Sequence, residues 1–276
     1  MKKILIISAM VDVELNYLIE KLENKKIEET KVCKFYLGKL YENDIIICDA
    51  KVGLINTASS ITLAIEKYHP NYIINQGCAG ACTKKIHKSD IVIGEQCINT
   101  TSFYTKEKKE GQGYNLDDWE LINYTVGEKD RLIPQNAGEE LLNIVKSIEH
   151  NYVEGKIHYG IIGSGDIWNK EIDWMIRLNK KYNIICSDME GIAVYTIANM
   201  YKIPAIDIRV ISDNEILGEE YDRNISIKGQ KFVMNLLEKL KWQRDQVTTG
   251  PVLFVIFCDN GTGSFCHLFR RNILIL

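Results

Sequence analysis

The sequence predicts an α/β layered fold built on a largely parallel sheet, and three observations carry that reading. Strand-length apolar runs alternate with helix-length amphipathic segments along most of the chain. The first run, 3-KILIISA-9, is near-continuous rather than alternating, as in a strand covered on both faces. Acids and small residues collect where such runs stop, at Ala9-Met10, at 77-GCAG-80 and at Asp213, and open α/β sheets hold their ligands at the carboxyl ends of strands.

In order, strand 3–9 leads into a helix running to about Asn24, and strand-like runs follow at 32–38 and 44–50. Residues 54–68 (LINTASSITLAIEKY) have helical periodicity. Residues 72–76 (YIINQ) enter a small-residue turn, GCAGAC, and a strand spans 90–98. Helix 137–150, strand 158–164, helix 170–180 and strand 183–187 come next. The unit 187-SDMEGIAVYTIANMYKIPAIDIRVISD-213 then reads as a helix, a return at Ile203-Pro204 and an apolar strand, with acids at both mouths. Helix 225–241 completes the domain, 1–241. Two stretches break the alternation. Residues 99–136 form a polar insert, in which Phe103, Tyr104, Tyr114 and Trp119 argue against full disorder. The tail 242–276 is either an appended segment without native role or a hairpin about Asp259-Asn260-Gly261.

Composition narrows the function classes. The 276 residues suffice for one large domain, and a net charge of −3 gives no electrostatic case for nucleic acid or an anionic membrane. No apolar run approaches the roughly 18 residues of a membrane span. Eight scattered cysteines, several inside apolar runs, fit buried thiols in a reducing cytoplasm. Cys78 and Cys82 have no second pair or close histidine, so no metal site is expected.

Three acids fall near strand ends: Glu14 (or Asp12), Glu190 and Asp213. Carboxylates in a cleft suit a reaction with a cationic transition state and a leaving group that needs a proton, as in glycosidic cleavage. Acids at strand ends also serve as helix caps and solvated rims, so position alone does not choose.

The run 187–213 resembles the nucleoside phosphorylase superfamily, and within it the 5'-methylthioadenosine/S-adenosylhomocysteine nucleosidases. The residues that carry the likeness are Met189-Glu190-Gly191 opening a helix and Arg209-Val210-Ile211-Ser212-Asp213 closing a strand. Ser8-Ala9-Met10, 51–80 with its Gly-Cys-Ala-Gly turn, 88-KSDIVIG-94 and 163-GSGDIWN-169 follow the same order. The likeness covers most of 3–240 and fails over 99–136 and the tail. It implies a single-domain three-layer α/β/α fold with a central mixed, largely parallel sheet, a purine nucleoside as the small-molecule partner, a homodimer and no cofactor.

The resemblance also implies roles. Asp213 would protonate the purine at N7, with Ser212 beside it shaping the acid. Glu190 would hold the ribose 2' and 3' hydroxyls, and Met189 would pack on the ribose. Trp168 would stack on the base, with Asn169 backbone groups reading its edge. Cys78, Ala79 and Gly80 would let the backbone approach base and sugar. The family places its water-activating Glu three residues after the Met of Ala-Met, which here is Val13. Leu18 and Leu22, four and eight residues past Glu14, match the family's apolar offsets. A one-residue insertion before Glu14 therefore makes Glu14, rather than Asp12, the base.

Phosphorylases of this superfamily bring arginines to phosphate, since a dianion calls for bidentate charged donors. Ile74-Asn75-Gln76-Gly77 and the loop from Ser8 to Glu14 carry none, which favours water as nucleophile; Arg209 is the remaining candidate for phosphate. Phe103, Tyr104 and Met10 are expected to line an apolar 5' pocket, with Tyr221 in a closing element. Two rival functions stay open: a phosphate-dependent purine nucleoside phosphorylase, and a non-catalytic nucleoside-binding protein on this fold.

Overall fold

A computed structural model describes residues 2–122 and 134–249, with side chains described up to Lys241. Strand β1 (Lys3–Ser8) sits between β4 (Asn43–Asp49) and β5 (Tyr72–Ala81), parallel to both. Its side chains alternate between two cores. Ile4 and Ile6 face the helices α1 (Asn16–Lys21), α3 (Glu139–Ile148) and α6 (Ser226–Thr249). Leu5 and Ile7 face α2 (Leu54–Tyr68) and α5 (Gly191–Met200). That double burial is the physical reason the strand reads as one apolar run. The sheet is mixed, with helices on both faces.

The remaining strands are β2 (Glu23–Glu29), β3 (Lys34–Leu40), β6 (Ile91–Asn99), β10 (Ile157–Ser164), β11 (Ile184–Asp188) and β12 (Ala205–Asp213). The sheet order is β11-β10-β6-β12-β5-β1-β4-β3-β2. β5 also pairs antiparallel with β11, through Ala81–Cys186 and Gly80–Ser187. Strands β5, β12, β6, β10 and β11 thereby close into a ring, beyond what an open layered sheet would show. Outside it, α4 (Ile172–Tyr182) packs Met175 and Leu178 on Ile184 and Cys82.

Several boundaries differ from expectation. The first helix does not run to Asn24. A π-turn, Val11–Leu15, precedes a short α1 that stops at Lys21, and Glu23–Glu29 is an edge strand. Its sequence, ENKKIEE, is largely solvent-facing and charged, so it lacks apolar alternation; charge on an edge also discourages pairing with other chains. The expected turn GCAGAC is instead the second half of β5. Gly77 and Gly80 are strand glycines because side chains fill the space their Cβ atoms would need. Arg209 Nη1 and Glu14 Oε1 lie 2.6 and 2.8 Å from the position at Gly77, and Asp213 Oδ2 lies 2.9 Å from that at Gly80. Helix α6 extends to Thr249, past the expected limit of 241.

Within the insert, the short strands β7 (Phe103–Tyr104) and β8 (Glu120–Leu121) pair, and β9 (Gln135–Asn136) joins β6. Phe103 packs on Trp119 and Trp174, at 5.4 and 5.8 Å between ring centroids. The expected hairpin about Asp259-Asn260-Gly261 lies outside the described residues.

Candidate active site

A pocket at the strand ends is lined by 17 residues, among them Met10, Glu14, Cys78, Ala79, Gly80, Trp168, Asn169, Met189, Glu190, Ser212 and Asp213. These are the residues for which the resemblance implies catalytic, base-binding and sugar-binding roles. Val52, Ile167, Ser187, Asp188 and Tyr221 join them. Phe103 and Tyr104 do not. Stacking of Phe103 on Trp119 and Trp174 draws this part of the insert into another core, and the apolar wall falls instead to Met10, Val52 and Ile167.

Glu14 is placed by the π-turn. An i→i+5 turn holds one residue more than an α-turn, and here it buries Glu14 while Leu15 and Leu18 face the core. Side chains from elsewhere satisfy the backbone groups such a turn frees. Gln230 Nε2 and Ser226 Oγ donate to the Val13 carbonyl, Gln76 Nε2 donates to that of Glu14, and Gln230 Oε1 accepts from the Tyr17 N–H. The Glu14 carboxylate is buried. It accepts from Ser8 Oγ at 2.6 Å, Met10 N–H at 3.2 Å and Cys78 N–H at 2.8 Å. Asp12 is exposed and does not line the pocket.

Glu190 stands at the start of α5. Its Oε1 accepts the Gly53 N–H at 3.2 Å, and Arg209 Nη1 lies 3.5 Å from its Oε2. Burial raises its pKa to about 7, with Asp188 and Glu14 adding to the rise and Arg209 opposing it. Gly53 has a φ of +101°, which suits glycine, and a Cβ there would meet Asp166 Oδ1 at 2.8 Å. That same Asp166 oxygen accepts from the Leu54 N–H at the start of α2, tying the loop after β10 to the pocket wall.

Asp213 closes β12. Ser212 Oγ donates to its Oδ1 at 2.6 Å, and burial raises its pKa despite that bond. Trp168 is 62% exposed and meets the Tyr221 ring edge-on at 5.9 Å between centroids, so it is a pocket wall rather than core filler. Asn169 Oδ1 accepts from Glu171 N–H, while its buried Nδ2 has no partner. Burial pushes the Cys78 thiol up, so it stays neutral beside the acids.

Arg209 is 1% exposed and surrounded by carboxylates. Its Nη2 lies 2.6 Å from Asp188 Oδ2 and its Nε 2.7 Å from Asp207 Oδ1. A guanidinium so held is not available to phosphate, and it does not line the pocket. Sequence reasoning missed Asp188 and Asp207 as its partners. The signal was present in AIDIRV, where two charges two residues apart sit on one face of a strand buried throughout.

The described residues that line the pocket include four carboxylates, from Glu14, Asp188, Glu190 and Asp213, and no Lys, Arg or His. Such a site can stabilise positive charge, donate one proton from an acid of raised pKa and accept another.

A family model described as the phosphorylase superfamily matches residues 3–240. The chain is 25% identical over 250 residues to a 5'-methylthioadenosine/S-adenosylhomocysteine nucleosidase of Bacillus thuringiensis subsp. konkukian, covering 87% of this chain and all of the relative. Two solved structures share the fold. A Campylobacter jejuni 5'-methylthioadenosine/S-adenosylhomocysteine nucleosidase superposes with a TM-score of 0.73 at 21% identity, over 87% of this chain and 100% of its own. A Streptococcus pyogenes S-adenosylhomocysteine nucleosidase in complex with 5-methylthiotubericidin gives 0.71 at 22%, over 87% and 97%.

Proposed function

The chain belongs to the phosphorylase superfamily, and on that premise we propose that it hydrolyses the N-glycosidic bond of a purine nucleoside, 5'-methylthioadenosine or S-adenosylhomocysteine. The products are adenine and the 5-substituted ribose. The observation that carries the reading is the charge of the pocket: carboxyl groups from four separate elements face one space while the nearby arginine is held by Asp188 and Asp207. A dianionic phosphate would enter such a pocket against repulsion, whereas water enters without it.

As the C1'–N9 bond breaks, its electron pair moves into the base and Asp213 delivers a proton to N7. Burial keeps that proton on Asp213 to higher pH than an ordinary aspartate would. Glu190 accepts from the ribose hydroxyls and faces the developing positive charge with its own negative charge. Glu14 takes a proton from the water whose oxygen bonds to C1'. Its three donors, Ser8 Oγ, Met10 N–H and Cys78 N–H, fix the carboxylate for that step. Trp168 stacks on the base with Tyr221 steadying its ring. Met10, Val52 and Ile167 take the 5' group.

The catalytic unit is 1–241, with 242–276 outside it. The working form is a cytoplasmic homodimer, in which a second copy covers the open side near Val52 and Ile55, 39% and 79% exposed. The test is product analysis with methylthioadenosine, S-adenosylhomocysteine, adenosine and inosine, with and without phosphate. Free base and free sugar without phosphate support hydrolysis. Sugar 1-phosphate formed only with phosphate makes the protein a phosphorylase. Bound base with no turnover makes it a nucleoside-binding protein.

A further inference from the structure

Behind the pocket wall, one buried guanidinium meets more negative charge than it can neutralise. Arg209 contacts Asp188, Asp207 and Glu190, with the Glu14 carboxylate close by. All of these side chains are almost fully buried. With every acid ionised, the cluster would hold a large net negative charge out of water, an arrangement a protein interior avoids by retaining protons.

Geometry indicates where a proton sits. Asp207 is fully buried; its Oδ1 accepts from Arg209 Nε, and its Oδ2 has no hydrogen-bond partner. That Oδ2 and Asp188 Oδ2 both crowd the same point, the space above the Gly191 Cα. A Cβ there would lie 2.8 Å from Asp188 Oδ2 and closer still to Asp207 Oδ2. Two carboxylate oxygens only accept, so two that face each other need a proton between them.

We propose that Asp207 is a positioning residue for the cleavage site: as a neutral acid it donates from Oδ2 to Asp188 and accepts Arg209 Nε on Oδ1, fixing the guanidinium beside Glu190. With Asp207 neutral, Arg209 balances Asp188, and Glu190 is left free to ionise and face the sugar. An ionised Asp207 would add a charge that resists that ionisation. The groups facing Asp207 are Asp188 and Cys186 from β11, Arg209 from β12, Cys97 from β6 and Tyr195 within α5; Glu190 and Glu14 reach the cluster through Arg209. The role in catalysis rests on the cleavage reading above, whereas the location of the proton does not.

The test therefore has two arms. The first needs no activity: infrared difference spectra of the ligand-free protein at pH 8, wild type against Asp207→Asn. A protonated carboxyl band lost in the variant is expected, and its absence from the wild type overturns the proposal. The second arm follows kcat/KM against pH. Asp207→Val leaves Arg209 Nε without its acceptor and removes the donor to Asp188, and kcat/KM should fall by tenfold or more, roughly the cost of one orphaned charged hydrogen bond. Asp207→Asn keeps both a donor and an acceptor, so it should restore most of that loss and hold the acidic limb in place. A downward move of that limb by about one unit in Asp207→Asn would mean that an ionised carboxylate had been removed, and would overturn the proposal. Valine behaving as wild type would overturn the positioning role. If no variant or wild type cleaves any nucleoside while the band is present, the cleavage reading fails and the proton assignment stands.

Discussion

Replacing Glu190 by Gln should make the protein more stable at alkaline pH while removing its activity. Burial lifts the Glu190 pKa from 4.5 to about 7, so the folded state disfavours its ionised form. The sign follows from linkage. Below pH 4.5 the group is protonated whether folded or unfolded, and its neutral form costs nothing. As pH rises from there through about 7, the unfolded chain ionises it first and stability is lost. Above that window the loss is complete, about 3 kcal/mol as an upper figure at 1.36 kcal/mol per pKa unit.

Glutamine mimics the neutral form at every pH. Removing one partner of a buried ion pair ordinarily strands the other charge. Here Arg209 keeps Asp188 at 2.6 Å and Asp207 at 2.7 Å, and the ion pair that glutamine removes is the longer one, 3.5 Å. The expected net gain at pH 8 is therefore about 1–3 kcal/mol, against about zero at pH 4.5. Urea unfolding of both proteins at pH 4.5, 6 and 8 measures the difference directly. A gain that is the same at every pH, or a loss at pH 8, would refute the reasoning, because neither follows from a carboxyl whose ionisation is opposed by burial.

Two further substitutions read other parts of the site. Gly191→Ala should destabilise by about 1–3 kcal/mol despite alanine's better helix propensity, because its Cβ enters the space of Asp207 and Asp188; adding Asp207→Ala should recover much of the loss in a thermal-melt double-mutant cycle. Asp213→Asn should lower kcat on nucleoside substrates by about 10²–10⁴-fold and leave adenine affinity, measured by calorimetry, within a few-fold.

Much of this was legible in the sequence where burial dictates composition. β1 and β12 are covered on both faces, so most of their residues are apolar, and the runs 3–9 and 205–213 were visible at once. β2 was not, because an exposed edge strand obeys no apolar alternation. The second half of β5 was misread because Gly77 and Gly80 look like turn residues; what keeps them small is Arg209, Glu14 and Asp213, side chains distant in sequence. The acids at strand ends were legible, and the spacing to Leu18 and Leu22, set against the family's pattern, placed Glu14 rather than Asp12 toward the pocket. Asp207 left a local trace in its spacing to Arg209, but Asp188 did not, since its meaning lies in where β11 brings it beside β12.

The pairing of β5 with β11 also determines how the site can move. β5 takes part in three ladders, with β1 along its first half, with β12 along most of its length, and with β11 at Gly80 and Ala81. Cys78, Gly80, Asp188 and Asp213 thus ride on strands hooped together like staves. Those strands cannot separate locally without breaking the hoop, so breathing is left to the segments carrying Trp168 and Tyr221. Trp168 and Tyr221 meet at the rim outside the hoop, so the pocket's floor and its rim belong to different structural units.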